Sequence, residues 1–115
     1  MDAAEALSNL TEISSQIRAA VVTRSDGEVL GATLGDADRA QRFAAAARAL
    51  VAGADEARGR SGTPIVQLEA ATPAGSVFVV RDGDRLIAAT TTPEPTVGLV
   101  FYDLKTCLRS IDAAA

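Results

Sequence analysis

The hydrophobic positions along the chain change period several times, and those changes order its elements. Leu7, Leu10, Ile13 and then Ile17 recur at three- and four-residue intervals, one stripe of an amphipathic helix, which predicts a first helix over 3–16. Residues 19–23 are apolar and β-branched, Ser25-Asp26-Gly27-Glu28 supplies turn residues, and 29–33 resumes the apolar pattern, so a β-hairpin is predicted. Gly35-Asp36 breaks the pattern. Asp36 is placed to accept hydrogen bonds from the free amides of a second helix that starts at Ala37 and ends near Gly59. Past Gly62 and Pro64 come three strand-like runs, 65–71, 76–81 and 85–91, separated by Thr72-Pro73-Ala74-Gly75 and Asp82-Gly83-Asp84. Connections this short predict an antiparallel meander. Pro93 and Pro95 stop the last strand and Thr96 is a candidate cap. Val97, Val100, Phe101, Leu104, Cys107, Leu108 and Ile111 then form the stripe of a third helix. The order helix, two strands, helix, three strands, helix fits an α/β sandwich, an antiparallel sheet with helices on its faces.

The second helix is the least ordinary segment. At 100° per residue, Ala40, Phe43, Ala44, Ala47, Leu50, Val51 and Ala54 make a broad apolar face suited to packing on a sheet. The flank away from it holds Ala45, Ala46, Ala49, Ala52 and Gly53, where a solvated helix carries Glu, Lys or Gln. Small residues at this spacing let two helix backbones approach closely, so the same helix of a second subunit is a candidate cover. The alternative is that alanine is simply a good helix former. Arg39, Arg42 and Arg48 sit around this flank and could meet an acidic partner; most exposed arginines only solubilise.

With 115 residues, one domain spanning 1–115 is expected. The net charge of −4 and the scattered arginines argue against nucleic acid as a partner. No apolar run in the first thirty residues has the length of a signal-peptide core or a membrane span, so a cytoplasmic protein without membrane insertion is expected. The excess of alanine and arginine, with a single lysine, is typical of GC-rich bacterial genomes. The one cysteine, Cys107, falls on the apolar stripe of the third helix and reads as core packing.

The chain has no histidine, which removes Ser-His-Asp and Cys-His catalysis and every histidine-containing zinc site. Asp26, Asp82 and Asp84 occupy turns, where Asp is favoured for local backbone hydrogen bonds, and nothing pairs them as an acid and a base. Gly31 and Gly35 lack the Gly-Lys-Ser/Thr ending of a phosphate loop. No enzyme and no cofactor are expected. A small-molecule sensor lined by Val79, Leu86 and Ile87 is conceivable, but one Tyr, three Phe and no Trp give little aromatic lining. Leu99 and Tyr102 fall off the stripe of the third helix and could mark a second partner surface.

Three stretches carry a family resemblance that spans nearly the whole chain. The run Ala19-Ala20-Val21-Val22-Thr23-Arg24-Ser25-Asp26-Gly27-Glu28-Val29-Leu30 resembles the opening hairpin of the roadblock/LC7 family. Val77-Phe78-Val79-Val80 followed by Leu86-Ile87-Ala88-Ala89 is similar to that family's central pair of strands, and Pro95-Thr96-Val97-Gly98-Leu99-Val100 to the entry of its final helix. The resemblance implies a five-stranded antiparallel sheet in the order 2-1-5-4-3, with helices one and three on one face and helix two on the other. It also implies a homodimer in which third strands pair edge to edge, here Ile65, Val66, Gln67, Leu68 and Glu69, while second helices lie side by side along the alanine flank. Bacterial members are commonly encoded with Ras-like small GTPases, and in some the helix-two side binds the GTPase and stimulates hydrolysis. The implied function is a non-catalytic regulator of a Ras-like GTPase. The alternative is a scaffold or adaptor dimer without effect on nucleotide hydrolysis.

Overall fold

The computed structural model describes residues 1–59 and 62–112. Eight elements follow one another among them: α1 (Ala3–Ile13), β1 (Ile17–Arg24), β2 (Val29–Ala32), α2 (Ala37–Arg58), β3 (Gln67–Thr72), β4 (Gly75–Asp82), β5 (Arg85–Thr91) and α3 (Val97–Ser110). The strands form one antiparallel sheet in the order β2-β1-β5-β4-β3. Two cores result, because alternate side chains of each strand point to opposite faces. Ala20, Val22, Phe78, Val80, Ile87 and Ala89 meet α1 and α3, while Val21, Val79, Leu86 and Ala88 meet α2. The sheet order and the division of helices agree with the expectation from sequence.

The hairpin cores are set by local chemistry. Asp26 Oδ1 accepts from the Glu28 amide at 2.9 Å, and Gly27 takes φ +103°, a conformation L side chains rarely adopt. Asp36 caps α2 as expected, accepting from the amides of Asp38 and Arg39. On the other face, the rings of Phe78 and Phe101 meet edge to face with centroids 4.9 Å apart. Cys107 is buried there, and desolvation pushes its thiol up to about 11.

Several boundaries differ from those the pattern predicts. α1 stops at Ile13 rather than continuing to 16, because Ser14 turns to an extended conformation while its amide still reaches the Leu10 carbonyl. Ile17 therefore opens β1 and packs in the core, whereas Ile13 is 65% exposed. β3 starts at Gln67, so Ile65 and Val66 precede the strand. The Ile65 amide goes to Asp55 Oδ1 at 2.7 Å, and the Val66 carbonyl accepts from the Arg81 amide at 2.8 Å. The Thr96 side chain makes no capping bond; its amide instead donates to Gln16 Oε1 at 2.6 Å, tying the start of α3 to the end of the α1 connection.

Candidate partner interface

Strand register fixes what α2 sees. Leu68, Val79, Ala88, Val21 and Ala32 stand opposite one another on successive strands and form one row across all five, on the α2 face. Toward the hairpin turns the next row is Arg81, Leu86, Thr23 and Val29. α2 lies over β1, β2 and β5 and buries Ala40, Ala44, Ala47 and Val51 against these rows. In the opposite direction the row is Ala70, Val77, Thr90 and Ala19. No element of the described chain closes over it: Ala70 is exposed and the other three are half-buried.

The open flank of α2 is apolar as well. Ala45, Ala46, Ala49, Ala52 and Gly53 are all exposed, and a Cβ added at Gly53 would meet nothing within 4 Å. Leu50, which the helical wheel assigns to the sheet-facing side, is 38% exposed and continues the surface of Ala46 and Gly53. Ala46, Leu50 and Gly53 follow each other at four and three residues, one flank of the helix. β3 is an outer strand, bonded only to β4, and its Gln67 and Glu69 are exposed while Leu68 is half-buried. An unpaired strand edge therefore flanks, and a half-buried row of small and β-branched side chains lies on, the face that carries the open helix flank.

The charged residues divide into two groups. Arg39 and Arg42 point outward, and Arg42 approaches Asp38 at 3.4 Å, both side chains well exposed, a contact of little energetic consequence. Arg48 lies on the other flank, folded over the β1–β2 turn with Nη1 donating to Thr23 Oγ1 at 3.4 Å. Near it Arg81 grips Asp55 with two bonds of 3.0 Å each. Those bonds, with the Ile65 amide, hold the Asp55 carboxyl below the usual carboxylate range. Arg48, Asp55, Arg81, Ser25 and Arg85 line a shallow cleft of 170 Å³ at this end. All five small residues of α2 are exposed, but Ala46 and Gly53 fall on the Leu50 side while Ala52 lines the Arg48 cleft; Leu68 is half-buried under α2, and Arg48 lies apart from Arg39 and Arg42. Leu50, Val77 and Ala70 escape the sequence reading. Strand alternation carries the signal for the last two, but only once the position of α2 shows which row it leaves open.

No cluster of His, Cys, Asp or Glu among the described residues could hold a metal ion, and the paired Asp55 and Arg81 supply no free acid and base. A two-cored layer, with helices one and three beneath a 2-1-5-4-3 sheet and a lone helix above it, is the roadblock/LC7 fold, and the chain has it. A roadblock/LC7 domain from Streptomyces avermitilis superposes with TM-score 0.85 at 22% identity, over 96% of this chain and 94% of that one. MglB in a tetrameric arrangement matches with TM-score 0.76 at 14% identity, over 95% and 84%. The gliding protein MglB from Thermus thermophilus matches with TM-score 0.71 at 15% identity, over 91% and 82%. No protein-family model matches the sequence, and no curated protein does.

Proposed function

We propose that residues 1–115 act as one roadblock-type unit that pairs with a second copy and binds a Ras-like small GTPase in the cytoplasm through the paired α2 helices and adjacent loops. The observation that carries the pairing is the open apolar row Ala70, Val77, Thr90 and Ala19 beside the bare flank of α2. A second α2 is the right width for such a row, and small residues at Ala46, Ala49 and Gly53 permit close backbone approach. The free edge of β3 would extend the sheet into the second subunit, a device that removes an aggregation-prone edge. The fold likeness to MglB supports the GTPase reading, since the paired helices then present Arg39 and Arg42 together from both subunits. Any stimulation of hydrolysis would come from ordering the GTPase's own switch elements, because nothing among the described residues singles out one arginine as an inserted finger.

The test uses the Ras-like GTPase encoded nearest the gene, loaded with GDP or a non-hydrolysable GTP analogue, and measures binding by interferometry. The double variant Arg39→Glu, Arg42→Glu is expected to weaken binding by about tenfold or more, chiefly through the association rate. Unchanged binding overturns the α2 surface as the GTPase site. A single-turnover hydrolysis assay on the same pair then separates a regulator, which accelerates hydrolysis, from an adaptor, which binds without doing so.

A further inference from the structure

On the face opposite α2, the outer groove between α1 and α3 holds a feature that the pairing and GTPase readings leave unused. The two helices run antiparallel: the Met1 amine meets Asp112 at 2.9 Å at one end, and Gln16 meets the Thr96 amide at the other. Along the groove three large apolar side chains stand in solvent, Ile13 of α1 at 65% exposure and Leu99 and Tyr102 of α3 at 50% and 66%. Ile13 also lines a cleft of 280 Å³ between the two helices, whose wall includes Leu10, Asn9, Cys107 and Asp103; Leu99 and Tyr102 stand outside it, on the same helix as Asp103. Asp103 is only 7% exposed, and among the described residues its carboxyl has no hydrogen bond and no ion pair. Desolvation raises its pKa. The other carboxylate on the wall is Glu12, no lysine or arginine lines the cleft, and the nearby N-terminal amine is already engaged by Asp112.

We propose that this groove docks an amphipathic helix of a partner protein, one that sets apolar side chains on Ile13, Leu99 and Tyr102 and closes a lysine or arginine onto Asp103. Three observations select that occupant. Exposed apolar residues beside a cleft fit a helix that anchors at three- and four-residue spacing. A largely buried carboxylate in a cleft gains from a cation or strong donor, and no basic side chain lines this one, so the complementary residue must arrive from outside. A second copy of this chain is a poor occupant, since a two-fold across the groove would face Asp103 and Glu12 with their own like charges. Three anchors also fall well short of the roughly 20–30 residues a side of a standard interface.

The probe is a phage-displayed library of 16-residue helical peptides. Leucines are fixed at three- and four-residue spacing, and Lys, Arg, Glu, Gln and Ser vary between them. It is panned on the purified full chain after depletion on the Tyr102→Glu variant. Surviving peptides are expected to carry Lys or Arg between the leucines, and to bind Asp103→Asn and Leu99→Glu at least tenfold more weakly. Melting curves of these surface variants, compared with the parent chain, separate lost binding from lost folding. The proposal is overturned if no peptide survives depletion, if survivors carry no cation, or if Asp103→Asn binds them unchanged. It is overturned equally if light scattering shows a concentration-dependent mass increase that Tyr102→Glu abolishes, since the groove would then be filled by a second copy.

Discussion

Gly75 opens β4 at φ +148°, and a Cβ built there would overlap the Thr91 carbonyl oxygen, an atom of the backbone that cannot swing aside. Gly75→Ala is therefore expected to cost about 3 kcal/mol, read from the urea midpoint at unchanged slope. Asp103 gives a prediction of opposite sign. Its folded pKa is raised, so the folded chain holds the proton more tightly than the unfolded chain does. Stability then falls as pH rises through and above the ordinary carboxyl value near 3.8. Asp103→Asn should stabilise the protein by about 1 kcal/mol at neutral pH. The gain should vanish near about pH 3, where both states are protonated. Urea titrations at the two pH values check it. Individual residues are also where the sequence was least legible. Ile13 and Leu50 fit the apolar stripes of their helices by arithmetic, yet both lie in solvent, because a stripe's width depends on what covers its margin. Asp103 shows no sign of burial in the pattern either; it flanks the stripe of α3 and is enclosed only because α1 lies alongside.

Elements were far more legible than their ends. Turn chemistry at Asp26-Gly27 and Asp82-Gly83, the Asp36 cap and the strand alternation all push locally toward the structure found, and β5 falls where its run predicts. The first helix and the third strand are shorter at one end for tertiary reasons: Ile17 is needed in β1, and the Ile65 amide is taken by Asp55 of α2. That last contact anchors the C-terminal end of α2 to both the segment before β3 and Arg81 of β4. Its carboxyl is held low by the Arg81 bonds, so its stabilisation is complete above the ordinary carboxyl value near 3.8 and is lost as pH falls through the lower folded value. Asp55→Asn should lower the melting temperature at neutral pH and make stability less steep across the acid range. A series of melts from neutral pH downward reads both; equal acid slopes in the two proteins would show that the Asp55 ties contribute nothing.

At the scale of the molecule, the layer order was readable from the succession of elements and the family likeness, but the open row beside α2 was not, since it exists only after five strands align. The pairing it supports predicts a mass near twice 11.8 kDa in light scattering, stable on dilution. Ala49→Glu, at an exposed site outside the subunit core, should shift that mass to the monomer by setting two like charges near the two-fold axis. A dimer that survives the change would move the interface away from α2.

The sheet's central seam also bears on how the chain acquires its structure. β1 and β5 lie side by side, yet Val21 pairs with Ala88 across more than half of the sequence. The hairpins β1–β2, β3–β4 and β4–β5 close locally, but joining the two halves requires a long loop to form first, which slows folding. During synthesis the first half emerges with α2 complete and β1 still lacking its inner neighbour, so the inner edge of β1 stays unpaired until β5 leaves the ribosome. The interval before that seam closes is when this chain is most exposed to aggregation, and stop-flow refolding should show one slow phase that Val22→Ala lengthens while changes in the β1–β2 turn leave it alone.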